Sequence, residues 1–278
     1  MVRGMVRDLE SFNALDAWPV DHVSAAVIAG GELSTHGDIE RVFELMSVTK
    51  LLVSYGVLIA IEEGVLELDD PLGPPGSTVR HLLSHASGVA FDSPAPQRKV
   101  GERRIYSSAG MDILADKVAG ETGIAFPEYL RQAVFEPLGM ESSELWGSAG
   151  HDARSTVADL ASFARELTAP RLLSQQTLDE AFTVQFPELI GTIPGYGMQK
   201  PNPWGLGFEI KGRKSPHWTG ASMPTTTAGH FGQSGTFLWT VPGSGVAAVV
   251  LTDRDFGDWA KPSWAAFNDA LWTEITDS

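Results

Sequence analysis

Ser47, Val48, Thr49 and Lys50 form an S-x-x-K stretch where a long apolar run begins. On a helix, positions i and i+3 share a face, so the Lys50 ammonium can reach the Ser47 hydroxyl. A serine hydroxyl is a weak nucleophile until a neighbour takes its proton. A lysine does this when burial or nearby charge lowers its pKa toward neutrality. The first turn of a helix also offers free N–H groups, which favour a developing oxyanion. The same residues fit a plainer arrangement, with Ser47 as an N-cap and Lys50 as a solvated side chain. Spacing alone leaves both open.

Two further stretches carry reactive types. Tyr106-Ser107-Ser108 heads a helical run, and a tyrosine beside an ammonium can share or pass on a proton. It also fits a half-buried aromatic at a helix start. Residues 229–235, GHFGQSG, are glycine-rich inside a strand pattern, which marks close approach of a ligand or another backbone. His230 would point into such a site, and the Gln233 N–H could face a bound carbonyl. A β-bulge with a structural histidine is the alternative. His81 and His85 have i, i+4 spacing but no H-E-x-x-H glutamate and no third ligand, so we expect a helix-end pair and no metal. No G-x-S-x-G occurs, which argues against an α/β-hydrolase nucleophile elbow.

These residues need elements to hold them. Residues 24–31 and 41–46 read as short strands. Helices are expected over 48–63, 78–84, 108–121, 126–135, 156–168 and 174–182, with Gly64 stopping the first. Thr156 and Asp159 open one of them with a capping-box-like start. Strand character returns at 205–211, 225–231, 236–241 and 246–252, with a hairpin turn at 241–246 and a closing helix over 264–275. We therefore expect a single catalytic domain over 1–278. Residues 1–46 and 201–278 would form an α/β lobe around one sheet. Residues 47–200 would form an inserted, mainly helical lobe, with the site at the seam.

The 278-residue chain is long enough for a substantial core. Its net charge of −15 disfavours nucleic acid and anionic membrane as partners. With no cysteine, thiol nucleophiles, disulfides and thiolate metal sites are excluded. Residues 1–20 hold Asp8, Glu10 and Asp16 and no signal-like apolar run, from which a cytoplasmic location is expected. Oligomeric state is not readable.

In order, Ser47-x-x-Lys50, Tyr106-Ser107-Ser108 and His230-Phe231-Gly232 resemble the serine β-lactamase and penicillin-binding protein superfamily, in its class C-like branch with esterases and D-amino-acid peptidases. Stretches such as MSVTKLLVSYGVLIAIEEG, VRHLLSHASGV and GHFGQSGTFLWTVPGSGVAAVVLTDR extend the resemblance from about residue 45 to 254. It implies an α+β fold, an antiparallel sheet flanked by helices with an inserted helical lobe, as in β-lactamases and DD-peptidases. It also implies acylation at Ser47, with Lys50 and Tyr106 as proton carriers and no cofactor. The oxyanion hole would be the backbone N–H groups of Ser47 and Gln233. Ser108, His230, Phe231 and Gly232 would contact substrate. Ser108 stands where relatives have Asn, and His230-Phe231 replace Lys-Thr of K-T-G. A histidine there would hold a substrate carboxylate only when protonated. The expectation is an esterase-type acyl hydrolase of small-molecule esters, amides or lactams. A β-lactamase or D-amino-acid peptidase is the alternative within the superfamily. A non-catalytic binding module of the same fold is the alternative outside catalysis.

Overall fold

A helix that is apolar all round must be buried on every side, and TKLLVSYGVLIAIE is such a helix. In the computed structural model, which describes residues 9–277, every side chain from Thr49 to Ala60 is buried. The chain runs through β1 (Val23–Ala29), β2 (Glu32–His36) and β3 (Phe43–Glu44) into this helix, α1 (Thr49–Glu62). Next come α2 (Val79–Leu83), α3 (Ala109–Thr122), α4 (Phe126–Leu130) and α5 (Glu136–Leu138). Then follow β4 (Glu144–Leu145), β5 (Ala153–Ser155), α6 (Val157–Thr168) and α7 (Gln175–Phe182). The chain closes with β6 (Gly191–Ile193), β7 (Gly197–Gln199), β8 (Glu209–Ile210), β9 (Ala228–Gly232), β10 (Thr236–Val241), β11 (Val246–Thr252) and α8 (Ala260–Thr276).

Six strands form one antiparallel sheet in the order β2-β1-β11-β10-β9-β8. The two ends of the chain meet where β1 pairs β11, from Val23↔Thr252 to Ile28↔Ala247. Side chains alternate between faces. Ala26, Ile28, Leu238, Val249 and Leu251 join the core shared with α1 and α6. Ala25, Val27, Phe237, Trp239 and Val250 join a second core with Trp264, Phe267 and Leu271 of α8. Both faces are covered, so β11 reads as the unbroken apolar run VAAVVLT. Residues 45–200 supply all the helices except α8 and a 3-10 helix, Glu10–Ala17, held to α8 by Glu274. Among the described residues, no helix is long and apolar enough to cross a membrane.

Several boundaries differ from expectation. Residues 41–46 shorten to β3, which pairs β5 rather than the central sheet. The expected 205–211 strand shrinks to β8, because Gly205 and Gly207 are spent on close approaches to Ala181 and Ser54. The 126–135 helix becomes α4 followed by a π turn, Arg131–Phe135, where Pro137 lacks the N–H to bond the Ala133 carbonyl. Strands β4 to β7 have two or three residues each, too short for period-2 patterning to reveal. Residues 1–8 of the leader-free N-terminal reading lie outside the described residues.

The edge strand β8 carries a buried ionic cluster. Glu209 accepts from Lys214 Nζ (2.8 Å), His217 Nε2 (3.0 Å) and Trp218 Nε1 (2.7 Å). Burial works to raise the Glu209 pKa, yet Lys214 and His217 hold it well below the usual carboxylate range. Lys214 also donates to the Pro203 carbonyl (3.0 Å), fixing the segment that carries Trp204. Removing one partner of a buried pair strands the other charge. Glu209→Gln should therefore destabilise the protein by about 3–5 kcal/mol in urea unfolding. A change below about 1 kcal/mol would contradict this role.

Candidate active site

Ser47 sits in a single 3-10 turn, Met46–Val48, that leads into α1. Met46 takes φ 46°, a left-handed conformation that costs a side-chain-bearing residue about 1–2 kcal/mol. The turn is clamped from β9 and β10. Ser234 Oγ donates to the Glu44 carbonyl (2.6 Å) and Thr236 Oγ1 to the Leu45 carbonyl (3.0 Å). A Cβ on Gly232 would fall on that same Leu45 oxygen. Gly232, expected to contact substrate, instead lets β9 approach the nucleophile turn and is not part of the cavity wall.

Lys50 is completely buried, in the first turn of α1. Its Nζ donates to Ser47 Oγ (3.2 Å), Ser108 Oγ (3.1 Å) and the Gly150 carbonyl (2.7 Å). Burial pulls its pKa down to about 7, partly opposed by Asp112. Once neutral, it keeps two N–H bonds to Ser108 and Gly150. Its lone pair is then free for the Ser47 proton. The solvated-lysine arrangement is thereby excluded, and Ser47 makes no side-chain cap bond.

On the other side of Ser47 Oγ, the Tyr106 hydroxyl donates at 2.6 Å. Burial raises the Tyr106 pKa, so the phenol keeps its proton. The Lys50 ammonium lies 4.5 Å from the centre of the Tyr106 ring. His85 does not form a helix-end pair with His81. It lies past α2 at φ 56°, buried, and accepts from the Ser107 N–H (3.3 Å). Its ring packs edge-on against Tyr106 (5.0 Å) and Trp204 (4.6 Å). His81 stacks on Phe186 instead.

His230 lines the cavity, and its ring is not in the protonated form that holding a carboxylate would require. Its Nδ1–H donates to the Phe231 carbonyl (2.7 Å), leaving Nε2 as a buried lone pair without a partner among the described residues. Burial, reinforced by the Lys50 charge, lowers its pKa to about 3. It is therefore neutral at working pH and offers an acceptor, not a cation for a carboxylate. Phe231 touches the cavity while packing on Phe256 (4.9 Å). Ser47, Tyr106, Ser108, His230 and Gln233 line a cavity of about 320 Å³, walled by Phe91, Trp204 and Ile193.

Sequence reasoning missed the loop behind Lys50. Asp112 of α3 accepts from Ser148 Oγ and the Ala149 N–H (both 2.8 Å), holding the turn that aims the Gly150 carbonyl at Lys50. A Cβ on Gly150 would lie 2.5 Å from Ser108 Cβ. Asp112 follows Ser108 by one helical turn, which is the only sequence signal for it. Chemically, the arrangement places a nucleophile between a proton acceptor and a proton donor, at the mouth of an apolar cavity.

A sheet built from both chain ends, with a serine and lysine at the head of a buried helix, defines the fold of serine β-lactamase-type hydrolases. The Beta-lactamase family profile matches residues 21–270, and the chain belongs to that family. A crystal structure of a β-lactamase from Mycobacterium bovis is 54% identical, covering 96% of this chain and 99% of its own, with a TM-score of 0.94. Simvastatin synthase from Aspergillus terreus shares the fold at 16% identity, over 96% of this chain and 93% of its own, with a TM-score of 0.77. The D-alanyl-D-alanine-carboxypeptidase/endopeptidase AmpH of Escherichia coli is 25% identical over 158 residues. That match takes in 44% of this chain and only 41% of the relative's length.

Two outcomes follow for reaction with an acylating or phosphonylating probe. Gly150→Ala should slow labelling on the order of 100-fold while the protein stays folded, because Ser108 and Lys50 shift. Labelling should also rise with pH through about 7. Below that value it should fall about tenfold per pH unit, as Lys50 becomes protonated and loses its lone pair. A flat profile from pH 5 to 9 would remove Lys50 as the base.

Proposed function

We propose that this protein is an esterase-type acyl hydrolase working through an acyl-enzyme on Ser47. The observation that carries the reading is the placement of Ser47 Oγ between neutralisable Lys50 (3.2 Å) and protonated Tyr106 (2.6 Å). Lys50 takes the Ser47 proton as Oγ attacks the acyl carbonyl. The oxyanion forms against the backbone N–H groups of Ser47 and Gln233, a contribution of about 3–4 kcal/mol in comparable sites. Tyr106 gives its proton to the departing alkoxide and is replenished by the proton Lys50 holds. Water then replaces the alcohol, loses a proton to the same pair and attacks the acyl carbonyl; as the acyl–Oγ bond breaks, that proton passes to Ser47 Oγ, freeing the acid and restoring the enzyme.

Ester rather than lactam or peptide is favoured by two side chains. Ser108 gives its oxygen to Lys50, so no amide group stands there to meet a substrate amide. His230 is neutral and cannot replace the lysine that holds a carboxylate. A second reading, lactam hydrolysis, is favoured by the name of the 54% identical Mycobacterium bovis protein. One experiment separates them: turnover of 4-nitrophenyl esters of short acids and of a chromogenic cephalosporin, on wild type and Ser47→Ala. We expect ester turnover that falls to background in Ser47→Ala. Fast cephalosporin turnover with little ester activity would establish the second reading. Ester turnover that survives in Ser47→Ala would overturn the mechanism. A folded protein in which no probe modifies Ser47 would be a binding module.

A further inference from the structure

Phe91, Tyr106, Thr192 and Pro194 form a wall shared by the active-site cavity and a second cavity of about 330 Å³. The second cavity is basic. Residues 97–104, QRKVGERR, carry four basic side chains against one acid, in a chain of net charge −15. Two of these cations are occupied. Arg104 is buried and donates to the carbonyls of Ser84, Gln185, Phe186 and Asn202. Arg98 leans on Glu102 at 3.7 Å.

Arg103 is different. It makes no ion pair among the described residues. Among the described residues, its Nη2 donates only to the thioether of Met198, at 3.5 Å, and its Nε is buried with no acceptor. Nε–H and Nη2–H lie side by side on one edge of the guanidinium, the edge that a carboxylate meets with two parallel bonds. A thioether is a weak acceptor, and Met198 is 44% exposed, so a stronger acceptor can displace it. Met198 sits directly across β6–β7 from Thr192, a residue of the shared wall. A group bound at Arg103 is therefore one strand away from the acyl cavity.

We propose that the second cavity takes a carboxylate carried by the ester substrate, held on the Nε/Nη2 edge of Arg103 in place of Met198. This rests on the Ser47 hydrolase reading and narrows its substrates to esters with a distal carboxylate. The carboxylate belongs to either the acid or the alcohol half of the ester, and the two halves are separable.

The acid half is tested with mono-4-nitrophenyl esters of straight-chain dicarboxylic acids, from succinate to suberate, against their methyl-capped forms. For the alcohol half, the pair is the butyryl esters of 4-hydroxybenzoate and of its methyl ester. Wild type should prefer the free carboxylate in at least one pair by about tenfold or more, through KM. Arg103→Gln should erase that preference while leaving kcat and the capped esters unchanged. Arg103→Lys, which keeps charge but loses the fork, should restore only part of it. Met198→Ala should lower KM for the carboxylate member alone. The proposal fails if wild type shows no preference, or if the preference survives in Arg103→Gln with its thermal midpoint intact. Calorimetric binding of the same pairs to Ser47→Ala, with and without Arg103→Gln, reads the site without turnover. A carboxylate preference there with no wild-type hydrolysis would sink the hydrolase reading alone. Ester hydrolysis without that preference would sink the carboxylate site alone.

Discussion

An ammonium with no carboxylate partner among the described residues, fully enclosed by protein, is the constraint on which this molecule is organised. Lys50 gets its polar contacts from two hydroxyls and one carbonyl, all neutral. Neutral acceptors compensate a buried charge only in part. The remaining cost appears as a pKa lowered to about 7, at which the amine gives up its proton far more readily than an exposed lysine. A carboxylate in place of Gly150 O or Ser108 Oγ would hold the proton on Lys50 and silence it.

Much of the fold serves to keep that enclosure dry and in register. Helix α1 is buried on every side from Thr49 to Ala60, which encloses Lys50 in its first turn. Asp112, Ser148 and Ala149 fix the turn that presents Gly150. Gly232 and Thr236 bring β9 and β10 against the Leu45 carbonyl, so the sheet grips the turn before Ser47. On the far side, the Glu209 cluster anchors the segment with Trp204, and Trp204 and His85 back the Tyr106 ring. Burial keeps His230 neutral, and the Lys214 charge adds to it.

The motifs in the sequence named Ser47, Lys50 and Tyr106, the last two of which the fold brings within hydrogen-bond reach of Ser47, and periodicity placed the long elements. Strands β10 and β11 and helices α1, α3, α6 and α7 fall within a residue or two of where periodicity and caps place them. Thr156 caps α6 through the Asp159 N–H (3.1 Å). Only half of the expected capping box forms, because the Asp159 carboxylate turns to Ser142 and Ser143. Strands β4 to β7 escaped detection because two or three residues carry no periodic signal. His85 was misplaced because i, i+4 spacing assumes a helix, and α2 ends two residues before it.

By itself, the sequence determined which residues carry the reactive groups, since side-chain chemistry and local spacing are written along the chain. It also determined the layered α+β plan, through the lengths and periods of its apolar runs. The protonation states were decided only by the tertiary structure. Whether Lys50 is a base and His230 a neutral acceptor depends on desolvation and on charges distant in sequence. The same is true of Gly150, Asp112 and Arg103. Their roles come from what lies within a few ångströms of them in space, and no spacing along the chain encodes that.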